Sequence, residues 1–178
     1  MMENNIVYYS VVNKDNIIYN DTSDKLETKL AQIVLKNMLK HFDLKLPEIY
    51  LSDSGKPFFK DSKIFFNYSH SKNYIACAIS QHEVGIDIEE TNRNISDSIA
   101  KKYLNNEKDN SKRMEIWVKK ESYSKLKGLG LQINFHNIKL DELKEKSFFI
   151  KENEYMFSIY CDSEAVVFKE LSLSDKLL

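Results

Sequence analysis

The sequence predicts an α+β fold built mainly from antiparallel sheet, and three observations lead to it. Strand-like runs follow one another in blocks instead of alternating singly with helices, which favours hairpins over parallel crossovers. Two long stretches, residues 24–42 and about 91–128, carry the apolar spacing of helices. The 178 residues are 42% hydrophobic and 30% charged, with four Gly and two Pro, a composition that supports a packed core and leaves little room for linkers.

Taken in order, residues 5–12 alternate loosely as a strand. Asp24 followed by Glu27 has the spacing of a capping box. The helix it opens runs to about Phe42, with Leu26, Leu30, Ile33, Val34, Met38 and Phe42 as its apolar stripe and Lys25, Lys29, Lys36 and Lys40 outside it. Leu44–Leu51 reads as a loop and short strand, and Asp53–Pro57 as a turn. Ile64–Tyr68 forms a strand ending at Ser69-His70-Ser71, and Tyr74–Ser80 with Val84–Glu89 has the pattern of a hairpin around Gln81-His82-Glu83. After Glu90 the pattern is helical to about Gly128. Short strands return from Phe135, with Glu154–Tyr160 and Glu164–Phe168 the clearest pair. No repeat is visible in the residues themselves.

A net charge of −1 gives no global field for nucleic acid. Residues 101–127 are nevertheless basic, with nine Lys/Arg against four Asp/Glu, which fits either a solvated helical face or a surface for a polyanionic ligand or acidic protein. Cys77 and Cys161 sit in apolar runs without metal-ligand spacing and read as buried thiols. The start of the chain lacks the basic and apolar regions of a signal peptide, and no run approaches membrane-spanning length, so the expected setting is the cytoplasm.

Val84-Gly85-Ile86-Asp87-Ile88-Glu89 is the richest segment. Residues two apart on a strand share a face, so Asp87 and Glu89 can lean toward one cation while Gly85 leaves room beside them. Oxygen ligands favour Mg²⁺, Mn²⁺ or Ca²⁺, and Mg²⁺ is commonly held by one or two carboxylates, waters and substrate phosphates. A half-buried strand with a solvated acidic face is the alternative. The second signal is the helix from about Ser111 to Lys127. At about 100° per residue, Glu121 falls between Trp117 and Val118 and Lys125 falls beside Met114, so both charges continue an apolar stripe. An ordinary surface bridge between residues four apart is the competing reading. Gly128 suits a helix C-cap, and Gly128 with Gly130 also allows backbone close to a phosphate.

Three blocks, Gly55-Lys56-Pro57, then Phe66-Asn67-Tyr68-Ser69-His70-Ser71 leading to Val84–Glu89, then Trp117–Lys125, together resemble the 4′-phosphopantetheinyl transferases of the Sfp type. The resemblance implies two pseudo-symmetric α+β lobes, residues 1–83 and 84–178, in a monomer, with coenzyme A and Mg²⁺, or Mn²⁺, in the cleft between them. It implies transfer of phosphopantetheine from coenzyme A to a serine of an acyl, peptidyl or aryl carrier protein, releasing 3′,5′-ADP. By the same resemblance Asp87, Glu89 and Glu107 hold the metal, Glu121 is the general base, and Lys125 contacts the phosphates. Ser69 and His70 match residues that hold the 3′-phosphate, and Lys56 matches a basic residue facing the nucleotide. The arginines common in the family's N-terminal half are absent here, which leaves Lys25 or Lys29 to substitute. Carrier docking is expected on the basic helix, at Lys119 and Lys120 with Ile116 and Tyr123 nearby. A Mg²⁺-dependent nucleotide phosphohydrolase and a non-catalytic module binding a carrier or coenzyme A are the competing functions.

Overall fold

The computed structural model describes residues 2–19, 25–129, 135–141, 146–163 and 166–173. Its elements are β1 (Ile6–Asn13), α1 (Leu26–Lys40), β2 (Ile49–Leu51), β3 (Pro57–Phe59), β4 (Phe65–His70), β5 (Tyr74–Ser80), β6 (Val84–Glu90), α2 (Asp97–Tyr103), α3 (Asn110–Lys127), β7 (Ser147–Lys151), β8 (Tyr155–Cys161) and β9 (Val167–Glu170). They form two larger sheets, ordered β4-β5-β1-β9 and β6-β8-β7, and a small β2-β3 hairpin. All pairings are antiparallel except β1 with β9.

A repeat hidden in the sequence emerges in the topology. In β1-α1-β4-β5 the last strand lies between the other two, antiparallel to both; β6-α3-β7-β8 is connected and paired in the same way. The result is four layers: α1, the first sheet, the second sheet, then α2 and α3. Strand alternation sorts the core among them. On β5, Ile75, Cys77 and Ile79 face α1 with Leu30, Val34, Leu35 and Met38. Tyr74, Ala76 and Ala78 face the second sheet, against Val84, Ile86 and Ile88 of β6 and Phe157 and Ile159 of β8. Met114 and Val118 of α3 close the outer side with Ile95, Leu104 and Met156. Each such fully buried side chain contributes about 1.5–3 kcal/mol of transfer free energy.

Several expectations change. Residues 81–83 do not turn a hairpin: β5 already has β4 and β1 as neighbours, so the chain crosses to the second sheet and β6 pairs with β8. The strand expected at Glu164–Phe168 is found at Val167–Glu170, with Glu164 and Ala165 outside the described residues, and it does not pair with β8. It lies parallel to β1, Ile6 opposite Val167, covering an edge that would otherwise be open, so this strand belongs to the first sheet. Asp24 also lies outside the described residues; α1 begins with Lys25 at its N-cap, and the Lys25 side chain makes no capping hydrogen bond. The long helical stretch splits into α2, capped by Ser96, and α3, capped by Asp109 accepting from the Lys112 amide at 2.8 Å. Gly128 ends α3 at φ 67°, a conformation that favours glycine.

Gly85 is essential to the layer order. A Cβ there would lie 2.2 Å from the Ser122 carbonyl oxygen and 2.3 Å from the Leu126 amide nitrogen. The room beside Asp87 and Glu89 is therefore filled by α3, which rests backbone to backbone on β6.

Candidate active site

The edge where β4, β6 and α3 converge opens into a cleft of about 480 Å³. Its lining includes Lys56, Ser69, His70, Asp87, Glu89, Arg93, Trp117, Glu121 and Lys125. The second and third sequence blocks meet here because strand alternation turns Asp87 and Glu89 toward α3, while the helical repeat brings Glu121 and Lys125 to the strand edge. Ser69 reaches in from β4, whose neighbour Asn67 fixes the approach of the two sheets by accepting from the Ile86 amide at 3.1 Å.

At the centre is a triangle. Lys125 Nζ donates to Asp87 Oδ1 and to Ser69 Oγ, each at 2.7 Å, and Ser69 Oγ donates to the same Asp87 oxygen at 2.8 Å. Asp87 is 5% exposed, and its second oxygen, Oδ2, is buried without a hydrogen-bond partner among the described residues. Glu89 is paired with Arg93. Burial pushes the Glu89 carboxyl above its usual range, with the Asp87 charge adding to the rise and Arg93 opposing it. Glu121 is pushed up to about 7, first by burial and then by the Asp87 charge, against the pull of Lys125. A carboxyl there is poised to exchange a proton near neutral pH. His70 stands at the solvent-reached mouth; desolvation by the adjoining wall lowers its pKa, Lys14 and Lys125 lower it further, and Glu27 opposes them.

Of the other expected residues, Glu107, Lys25 and Lys29 do not line the cleft. The Glu107 carboxylate folds back onto its own turn, accepting from the Lys108 and Asp109 amides at 2.7 and 3.0 Å, and does not line the cleft with Asp87 and Glu89. Lys56 lines the cleft, but its ammonium is bound to Glu83 and donates to the Leu126 carbonyl at 2.8 Å, holding the last turn of α3. Lys25 is exposed and Lys29 is half-buried on α1; neither lines the cleft. Lys14, following β1, is the lysine paired with Glu27 at 3.5 Å, close enough to His70 to affect its charge. Lys120 is not part of a surface for docking: it is 3% exposed, and its ammonium donates to the Tyr103 and Phe135 carbonyls at 2.9 and 2.6 Å. Lys119 is half-buried and paired with Glu115.

Arg93 and Lys14 are the two cations that reading the sequence overlooked. Arg93 carried a signal, being one of only two arginines and four residues beyond Glu89. Lys14 carried none, since nothing local ties a lysine after the first strand to a histidine on the fourth.

The donor set suits a hard divalent cation. It offers carboxylate oxygens, one of them buried and unpartnered, and no sulfur. Among the described residues no three His, Cys, Asp or Glu are grouped closely enough to hold a metal by themselves, so such a cation would complete its shell with water or substrate oxygen.

Sequence comparison fits this geometry. The sequence profile of the 4′-phosphopantetheinyl transferase superfamily matches residues 83–173, which include β6, α3 and β8, and the chain belongs to that superfamily. It is similar to the 4′-phosphopantetheinyl transferase gsp of Aneurinibacillus migulanus, 31% identical over 151 residues, covering 76% of this chain and 62% of that protein. It is likewise similar to the 4′-phosphopantetheinyl transferase Sfp of Bacillus subtilis, 30% identical over 125 residues, covering 62% of this chain and 55% of the relative. A putative 4′-phosphopantetheinyl transferase of Haemophilus influenzae is 29% identical over 150 residues, covering 75% and 60%. The matched region thus spans less than two thirds of each relative's length.

Proposed function

We propose that this protein transfers the 4′-phosphopantetheine group of coenzyme A to a serine hydroxyl of an acyl, peptidyl or aryl carrier protein, releasing 3′,5′-ADP. The observation that carries the reading is the convergence of Ser69, Asp87, Glu121 and Lys125, from three elements far apart in sequence, in one cleft.

Asp87 and Glu89 are the residues to hold Mg²⁺, or Mn²⁺, which when bound supplies positive charge to the diphosphate oxygens. The carrier serine oxygen forms a bond to the β-phosphorus of coenzyme A, and the bond from that phosphorus to the oxygen bridging to the α-phosphate breaks. The serine proton passes to Glu121, directly or through a water, because a half-buried carboxylate of raised pKa accepts it readily. Lys125 already donates to two oxygens in the cleft and turns the same ammonium to the phosphates, where charge accumulates. Ser69 orients Asp87 and Lys125 together. His70, with Lys14 near it, offers hydrogen bonding and positive charge to the 3′-phosphate at the mouth, and Lys25 and Lys29, at the start of α1 and outside the cleft lining, are the further lysines we assign to the nucleotide. No nucleophile from the chain is required, since the acceptor hydroxyl belongs to the carrier.

No helix among the described residues is long and apolar enough to cross a membrane. We take the protein to act as a monomer in the cytoplasm, a setting suited to its two buried free thiols.

Product analysis tests the reading. With coenzyme A and Mg²⁺, 3′,5′-ADP should form only when an apo carrier is present. Steady cleavage of coenzyme A or another nucleotide without any carrier would instead make the protein a phosphohydrolase.

A further inference from the structure

Both strand carboxylates of the cleft are already held by cations of the chain itself: Asp87 by Lys125 at 2.7 Å, and Glu89 by Arg93. A metal ion arriving alone competes with positive charge at both carboxylates. A diphosphate arriving with the ion removes the conflict, because each internal cation can pass to a phosphate oxygen as its carboxylate passes to the metal.

Arg93 is built for such an exchange. The other arginine, Arg113, is buried and committed to the Glu107 and Ile95 carbonyls and to Asp97. The Arg93 side chain is 47% exposed and lines both the catalytic cleft and an adjoining cavity of about 470 Å³ with His70, Ser71 and Lys72. Its backbone is anchored: the amide donates to the Glu90 carbonyl at 3.1 Å, and the carbonyl accepts from Asn110 Nδ2, at the start of α3, at 2.9 Å. The root is therefore fixed while the guanidinium can swing. The guanidinium end of the pair is 47% exposed while the Glu89 carboxylate is only 14% exposed, so the arginine is the partner free to leave, and a planar guanidinium matches a phosphate in two-point geometry.

Resting on the coenzyme A reading above, we propose that Arg93 is a diphosphate ligand that occupies Glu89 in the free protein and passes to the phosphates when metal and coenzyme A enter together. Binding of the two is then mutually dependent, and Arg93 carries part of that coupling.

Isothermal titration of Arg93→Gln and Arg93→Lys with Mn²⁺ and with coenzyme A, each alone and in the presence of the other, tests this. In the wild type, coenzyme A should tighten Mn²⁺ binding by about tenfold, or about 1.4 kcal/mol. Arg93→Gln should bind Mn²⁺ alone roughly threefold or more tightly than wild type, because Glu89 is freed, yet bind coenzyme A about tenfold more weakly and lose most of the coupling. Arg93→Lys, which keeps the charge without the planar fork, should lie between. Circular dichroism melts should show both variants folded. Wild-type affinities in Arg93→Gln for both ligands would overturn the role of Arg93 while leaving the transferase reading intact. Weaker binding of Mn²⁺ alone would overturn it too, by making Arg93 a support for Glu89 instead of its competitor. A wild-type protein that binds no coenzyme A with Mn²⁺ would overturn both readings together.

Discussion

Replacing Gly85 with Ala should uncouple the helix from the strand that share the active site. The added Cβ would fall 2.2 Å from the Ser122 carbonyl oxygen, 2.3 Å from the Leu126 amide nitrogen and 2.8 Å from the Leu126 Cα. All three are backbone atoms of α3, so no side chain can rotate away. Ordinary van der Waals contact begins near 3.4 Å, and α3 must retreat by roughly 1 Å to reach it. Overpacking of this kind costs about 1–3 kcal/mol, and a rigid backbone neighbour places the cost at the upper end. The functional effect should be larger. Glu121 and Lys125 ride on α3 whereas Asp87 and Ser69 stay on strands, so the 2.7 Å contacts of Lys125 stretch beyond hydrogen bonding. A displacement of about 1 Å in a catalytic constellation can cost on the order of 100-fold in rate. Urea unfolding measures the first effect, and coenzyme A turnover on a folded sample measures the second. A Gly85→Ala protein within about 0.5 kcal/mol of wild type and fully active would refute the close packing of α3 on β6.

Other consequences follow from the same geometry. As the proposed general base, Glu121 must be ionised to accept a proton, so kcat/KM should fall as pH drops through an acid limb near 7, displaced downward by bound cation, and Glu121→Gln should remove both limb and activity. Because folding raises the Glu121 pKa, its stabilising contribution is complete below its unfolded value of 4.5 and is lost as pH rises through about 7; metal-free melting temperatures should decline over that window, less steeply in Glu121→Gln. Asp87→Asn should fold but lose metal-dependent tightening of coenzyme A binding, read by titration with and without Mg²⁺; undiminished tightening would remove Asp87 from the metal site. Lys120→Met keeps the length of the side chain but strands the Tyr103 and Phe135 carbonyls, and should cost about 2–4 kcal/mol in urea unfolding, whereas a neutral result would make the buried ammonium dispensable.

The sequence displayed local periods well and long-range pairing poorly. Alternation on β6 and the helical repeat of α3 predicted that Asp87 with Glu89, and Glu121 with Lys125, lie on common faces, because those faces follow from backbone geometry alone. A glycine at position 85 signals space beside the strand, but its occupant, α3, comes from nearly forty residues away. A turn such as Gln81-His82-Glu83 is equally compatible with a hairpin and with a step between sheets. The distinguishing clue was the run Tyr74–Ser80, nearly devoid of polar alternation and buried throughout, as befits a central strand sandwiched on both faces. The parallel pairing of β9 with β1 has no local signature. Lys120 looked like any lysine on a basic helix, and only the carbonyls packed around it account for its burial. The family resemblance points Glu107 toward the metal, while in the fold its carboxylate accepts hydrogen bonds from its own turn.

The proposed reaction of this cleft moves phosphopantetheine onto a carrier serine. Intact-protein mass spectrometry of a panel of apo acyl, peptidyl and aryl carriers, incubated with the protein, coenzyme A and Mg²⁺, tests it most directly. At least one carrier should gain the mass of a single phosphopantetheine with the wild type and gain none with Asp87→Asn or Glu121→Gln. Equal modification by wild type and both variants would contradict the assigned site, and unmodified carriers beside consumed coenzyme A would contradict the transfer itself.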